Sequence, residues 1–408
     1  MIRARGMCEA CLFSAAAIGA GLVAQVPAVR PLGRLLASTP DSFMAFNGPI
    51  RGQLLELKDG RLLVNDPRRR QVVMYSADLA RHSIVADTAS GARLRYGVDG
   101  VSIVPFRGDS IIMIDAASLS MLVLGPDGAA VRAMALPRPQ EARYLVSAYP
   151  AGPLLEFGPP AFDGQSHIIY VKKFALSPAA RRAQSGGSGT PRDDSAAIVR
   201  FDVTTRVVDT AGAIALGGRQ ISTTTANGVV TLHMTVNPVA FVDDWTVTAD
   251  GRIALIRAGD FHIDWVDPGL NRSVSPRVPF EWQRLTDSDK VALVDSVRAA
   301  EARDKTATEV IEPVRADQLA DYRPPFAGVS NRSGAPMADR EGNIWIRPNA
   351  TSRQSGEAVY DVIDPRGQIT DRVQVPRGLT LVGFGRGVAY VTSRDDRAVP
   401  VLSRFSIR

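Results

Sequence analysis

Cysteine is nearly absent: Cys8 and Cys11 are the only two in 408 residues. Both lie close to the N-terminus, so the rest of the chain can form no disulfide and no thiolate metal site. Its stability has to come from its core. Histidine is scarce too. His82, His167, His233 and His262 are the whole set, and no two of them share a ligand spacing such as HExxH, which argues against a histidine-built metal centre. No GxSxG elbow is present, so the sequence gives no support to serine-nucleophile chemistry. Lysine contributes only Lys58, Lys172, Lys173, Lys290 and Lys305, and the net charge of +6 is carried by arginine. So small a net charge makes nucleic acid a poor partner. Beyond the N-terminal segment no apolar run is long enough for a membrane span, which excludes a multi-pass membrane protein.

What is present begins with an export pattern. Arg3 and Arg5 precede an apolar run from Cys11 to Ala24, and small residues at Ala24 and Ala28 offer cleavage sites. Residues 1–28 are therefore expected to be a signal peptide and the mature chain, from 29, to be periplasmic or extracellular. Cys8 and Cys11 have a CxxC spacing, but they would leave with the signal, and no lipobox precedes either.

Gly and Pro are plentiful, at 35 and 27 residues, as befits many short strands joined by turns. Three segments repeat an acidic residue and Gly followed by an apolar strand: Asp59-Gly60-Arg61-Leu62-Leu63-Val64, Asp250-Gly251-Arg252-Ile253-Ala254-Leu255 and Glu341-Gly342-Asn343-Ile344-Trp345-Ile346. Such pairs between apolar runs mark hairpins, because Gly accepts the positive φ of a tight turn. A second pattern, an apolar strand ending in Asp, Pro or Gly, recurs at Met121–Gly128, Ile263–Gly269 and Tyr360–Gly367. Together they predict a four-stranded antiparallel unit. One such sheet cannot bury both faces; radial repetition can, and it protects the edges.

The run Asp59–Pro67 through Gln71–Tyr75 resembles an NHL repeat, as does Asp339–Ile346. The chain thus resembles the TolB-like superfamily of six-bladed β-propellers. The resemblance implies an all-β fold of six four-stranded antiparallel blades. It implies no single activity, because propellers of this kind include binders, scaffolds, lactonases and lyases. The expected blades span 44–87, 97–137, 144–216, 238–280, 326–376 and 378–408, with 31–38 supplying the last strand of blade six and closing the ring. The mature chain, 29–408, is then one propeller domain. Residues 177–194, rich in Gly and Ser, predict a flexible loop in blade three. Residues 282–325 form a helical insertion. Thr286-Asp287-Ser288-Asp289 resembles a capping box, and Val291, Val294 and Val297 share one face of a helix from about 287 to 303.

Two functional readings follow. In each blade the loop between the second and third strands opens on the same face as the connections between blades. On that face the sequence places Arg68, Arg69 and Arg70 in blade one, Arg347 and Arg353 in blade five, and Arg394 and Arg397 in blade six. Lys172 and Lys173 lie nearby in blade three and Arg257 in blade four. If these gather, the face is basic; a uniformly arginine-rich surface interspersed with Asp is the alternative. The first reading is a non-catalytic binding or scaffold propeller without a cofactor, taking an anionic small molecule, a peptide, a glycan or another protein. The second is a lactonase-like hydrolase or lyase with a channel-bound divalent cation, for which Asn65, Asp66, Asp243, Asp244, Asn349 and Asp395 offer hard oxygen ligands. Gly383-Phe384-Gly385-Arg386-Gly387 lacks a following helix and reads as a plain turn, not a phosphate loop.

Overall fold

Each hairpin is fixed first by its own turn. Asp59, Asp163, Asp250 and Asp339 accept the backbone N–H two residues on, at 2.9–3.4 Å, in the turns between first and second strands. Asp78, Asp127, Asp202 and Asp364 do the same between third and fourth strands, at 2.7–3.1 Å. The carboxylate stands in for a backbone carbonyl and closes the turn. Gly251 shows why glycine follows: its φ is +86°, and an added Cβ would lie 2.3 Å from the Asp163 carbonyl of the neighbouring blade.

The computed structural model describes residues 26–40, 54–66, 69–97, 100–146, 160–173, 195–217, 219–226, 229–304, 309–326, 335–349, 358–394 and 400–408. Its strands form six blades. Blade one is Leu54–Glu56, Leu62–Asp66, Gln71–Tyr75 and His82–Asp87. Blade two is Val101–Pro105, Ile111–Asp115, Ser120–Leu124 and Ala130–Ala135. Blade three is Ala161–Phe162, His167–Lys173, Ser195–Asp202 and Val208–Ala215. Blade four is Asp244–Val247, Ile253–Arg257, His262–Val266 and Arg272–Val274. Blade five is Met337–Ala338, Ile344–Ile346, Ala358–Ile363 and Ile369–Val375. Blade six is Leu379–Gly385, Val388–Arg394 and Pro400–Ser406, completed by Leu35–Ser38. All pairs within these blades are antiparallel.

The core lies between blades, not within one central mass. Val64 and Val73 of blade one pack with Val382 and Tyr390 of blade six, and Leu63 and Met74 with Ile103 and Met113 of blade two. The series continues between two and three, three and four, four and five, and five and six. Both faces of every sheet are thus covered, which is why the strands read as continuous apolar runs.

Leu35–Ser38 pairs with Pro400–Ser406, so an N-terminal segment closes the ring. The sequence did not foretell its companion. Val29–Pro31 adds to the outer edge of blade five, parallel to Arg372–Gln374. A side sheet was also not foreseen. Arg219–Ala226 and Val229–Val236 form a hairpin, and Glu309–Pro313 joins it in parallel. Beside it runs the helix α1 (Asp287–Asp304), in the insertion the sequence assigned to a helix. Its start is the expected reciprocal cap, with the Asp289 N–H donating to Thr286 Oγ1 and the Thr286 N–H to Asp289 Oδ2. Val294 then packs with Val239, Leu285 and Leu319. The Gly/Ser-rich segment 177–194 lies outside the described residues.

Candidate functional site

The ring has two faces. The turn face carries the first-to-second and third-to-fourth turns described above. The loop face carries the second-to-third loops and the connections between blades. Of the arginines assigned to the loop face, Arg68, Arg353 and Arg397 lie outside the described residues. Arg394 ends the second strand of blade six, opposite Pro400. Arg69 and Arg70 follow the second strand of blade one, and Arg347 follows that of blade five. Blade six stands between five and one, so these positions fall on three consecutive blades.

Their environments differ. Arg69 donates its backbone N–H to Asp66 Oδ1 at 3.0 Å, and its Nε lies 3.9 Å from Asp66 Oδ2. Arg70 takes the left-handed conformation just before the third strand, with φ of +56°, and makes no ion pair among the described residues. Arg347 is half-buried. Its Nε is enclosed without a hydrogen-bond acceptor, and it too makes no ion pair among the described residues.

Elsewhere on the loop face the positive charge is answered locally, as in the alternative of an arginine-rich surface interspersed with acidic residues, by partners the sequence did not identify. Lys172 Nζ and the Tyr170 hydroxyl both donate to the buried carboxylate of Glu141 at 2.5 Å, and Arg138 adds a third donor at 3.3 Å. Burial works to raise the Glu141 carboxyl, but these bonds outweigh it and hold it below the usual carboxylate range. Arg257 joins Asp243 at 2.7 Å and Asp264 at 2.8 Å. Burial opposes its charge, the two carboxylates favour it, and its pKa is raised. In blade five Arg372 meets Asp361 at 2.9 Å, yet burial dominates there and pushes the Asp361 carboxyl up. Local sequence could not reveal these pairs: Glu141 and Lys172 are 31 residues apart.

The oxygen donors considered for a cation are spread around the ring. Asn65 Nδ2 donates to the Val101 carbonyl of the next blade at 2.7 Å. Asp66 closes the blade-one loop on Arg69. Asp243 accepts from the N–H groups of Ala215 and Ala258 as well as Arg257. Asp244 Oδ1 accepts the Trp245 N–H. Asn349 donates to the Pro324 carbonyl at 2.9 Å, and Asp395 lies outside the described residues. Among the described residues, no three His, Cys, Asp or Glu side chains converge as a metal would require. Gly383–Gly387 is the hairpin turn of blade six, with Gly385 opposite Val388.

The inner strands enclose a channel. Towards its turn-face end it widens into a cavity of about 200 Å³, to which all six blades contribute. Its wall is mixed: Leu54, Ile103, Phe162, Val247, Met337 and Phe384 line it together with Thr246, Thr248 and Asp339. Arg340 also lines it and is exposed to solvent, so this guanidinium stands at the rim.

The molecule is a six-bladed β-propeller closed by its N-terminal segment. No protein-family model matches the chain, and no curated protein matches it either. Solved structures resemble it in fold. A gluconolactonase from Xanthomonas campestris is 12% identical, with 94% of this chain and 99% of that one covered and a TM-score of 0.38. A member of the DUF4221 family from Bacteroides vulgatus is 11% identical, covering 93% and 98%, with a TM-score of 0.45. Virginiamycin B lyase from Staphylococcus aureus is 9% identical, covering 92% and 88%, with a TM-score of 0.36. Among the described residues no helix is long and apolar enough to cross a membrane.

Proposed function

We propose that this chain is an exported, non-catalytic propeller that binds an anionic ligand on its loop face. The ligand is a carboxylate- or phosphate-bearing small molecule, peptide or glycan. The observation that carries the reading is Arg347, whose enclosed Nε has no acceptor and whose charge has no carboxylate partner among the described residues. Leaving a buried donor unpaired costs about 1–3 kcal/mol, and an incoming anion removes that cost. The planar fork of arginine suits carboxylate and phosphate, which accept two parallel hydrogen bonds. Arg70, which makes no ion pair among the described residues, adds field on the same rim two blades away.

Isothermal titration with phosphate and citrate at low ionic strength tests the reading. One of them should bind, more weakly as salt rises, and the Arg70→Ala, Arg347→Ala double variant should lose about tenfold or more of that affinity. Equal binding by the double variant refutes the assignment. Metal analysis of the purified protein addresses the lactonase-like alternative: a stoichiometric calcium or zinc ion would favour a hydrolase or lyase over a binder.

A further inference from the structure

The cavity at the turn-face end of the channel is a second concave feature, distinct from the loop-face arginines. Two polar side chains of its wall are already engaged. Thr248 Oγ1 donates to the Arg252 carbonyl at 3.1 Å and also meets Asp250. The Asp339 carboxylate accepts from Asn343 Nδ2 at 3.0 Å and from Trp345 Nε1 at 2.9 Å. Arg340 differs from them. Its Nη2 donates to the Glu56 carbonyl at 3.1 Å, which takes it from blade five past blade six to blade one. The Glu56 carboxylate does not answer it; that group accepts the Arg386 N–H at 2.8 Å and lies 3.8 Å from Arg404. Arg340 makes no ion pair among the described residues. A cation with spare donors therefore overhangs a chamber whose wall carries large apolar side chains.

We propose that this chamber binds a small monocarboxylate with a compact apolar body, the body inside the channel and the carboxylate on Arg340. The volume sets the size. A dry apolar cavity of about 150 Å³ admits benzene, so about 200 Å³ admits a phenyl ring with a short chain or a comparable alkyl group. The single rim guanidinium sets the charge at one, and its fork matches a carboxylate. Apolar side chains combined with a few convergent polar groups are the usual make-up of a small-molecule site.

The test titrates the full chain with phenylpropionate, the neutral phenylpropanol and acetate. Phenylpropionate should bind about tenfold or more tightly than the alcohol, given the worth of a charge-assisted bond, and acetate, lacking the body, should not compete. Arg340→Gln should bring the acid down to the level of the alcohol and leave the alcohol unchanged. Ala338→Leu, which enlarges a half-buried lining residue, should weaken both. Circular dichroism checks that each variant is folded; Arg340 is exposed, so its variant retains the fold. The Arg70→Ala, Arg347→Ala double variant should bind phenylpropionate normally, which separates this site from the loop face. Failure of the wild type to bind phenylpropionate, equal binding of the acid by wild type and Arg340→Gln, or acetate binding as well as phenylpropionate would each overturn the proposal.

Discussion

Ring closure rests on a short N-terminal segment, and Leu32 is the residue through which to test it. Leu32 is 5% exposed and packs with Met337, Trp345, Val373 and Val375 of blade five and with Leu381 and Phe384 of blade six. On either side the chain is stitched to both blades. The Leu32 N–H donates to the Gln374 carbonyl at 2.9 Å, and the Ser406 N–H to the Arg34 carbonyl at 3.0 Å. Arg30 meets Asp371 at 2.5 Å, a half-exposed pair worth about 1 kcal/mol or less. Leu32→Ala should cost about 2–4 kcal/mol from lost burial and the cavity left behind. At about 2.1 cal/mol/K of unfolding entropy per residue, 408 residues give roughly 0.9 kcal/mol/K. The melting temperature should then fall by about 2–5 °C in a single transition, read by calorimetry. Leu36→Ala is the control on the same segment, because Leu36 is 41% exposed and should cost less than about 0.5 kcal/mol. An unchanged melting temperature for Leu32→Ala, with new protease sensitivity confined to the N-terminus, would show that the segment merely decorates the ring.

Asp339→Ala removes the acceptor of the buried Trp345 Nε1 and of the Glu341 and Asn343 N–H groups; it should cost about 2–4 kcal/mol in urea unfolding, and Asp339→Asn distinctly less. Glu141, held below its ordinary value of 4.5, contributes stability that is present above that pH and lost as pH falls through its lower folded value. Glu141→Gln should therefore cost about 1–3 kcal/mol at neutral pH and flatten the acid limb of a stability profile; a limb of unchanged steepness would remove Glu141 from the account.

The blades were legible because their signals are local. An Asp accepting the N–H two residues on, with a left-handed Gly beside it, needs only a few consecutive residues, and Asp59-Gly60 and Asp250-Gly251 show both. The helix was legible for the same reason, since Thr286 and Asp289 cap each other. Val29–Pro31 was not, because three residues added in parallel to a strand more than 300 positions away leave no pattern in their own neighbourhood. The side sheet offered one cue: Asn227-Gly228 between two β-branched runs is a strong hairpin signal. Its parallel partner, Glu309–Pro313, comes after α1 and carries no such cue. On the loop face, the positions of arginines could be read from strand ends, but the carboxylates answering them, such as Glu141 for Lys172, could not.

The hydrogen bonds show what much of the arginine in this chain does. Several arginines clamp one blade to another through backbone carbonyls. Arg107 reaches Gln165 and Arg206 reaches Ala135, joining blades two and three. Arg200 reaches Pro268, Arg257 reaches Ala213 and Arg272 reaches Ala211, joining three and four. Arg404 reaches Ala77 and Arg386 reaches Lys58, joining six and one. A guanidinium suits this work because its five donors can bridge groups that a lysine, as a point charge, would reach singly. Composition therefore counts two populations as one. The clamping arginines spend their donors within the ring, and substituting them should loosen blade interfaces. Among the described residues Arg70 and Arg347 clamp nothing and meet no carboxylate, so we read their donors as kept for something outside the chain. Arg340 belongs to both groups, since it clamps across a skipped blade and keeps spare donors at the channel rim. The arginines worth mutating for function are those whose loss leaves the melting temperature unchanged, and Arg70 meets that condition most directly.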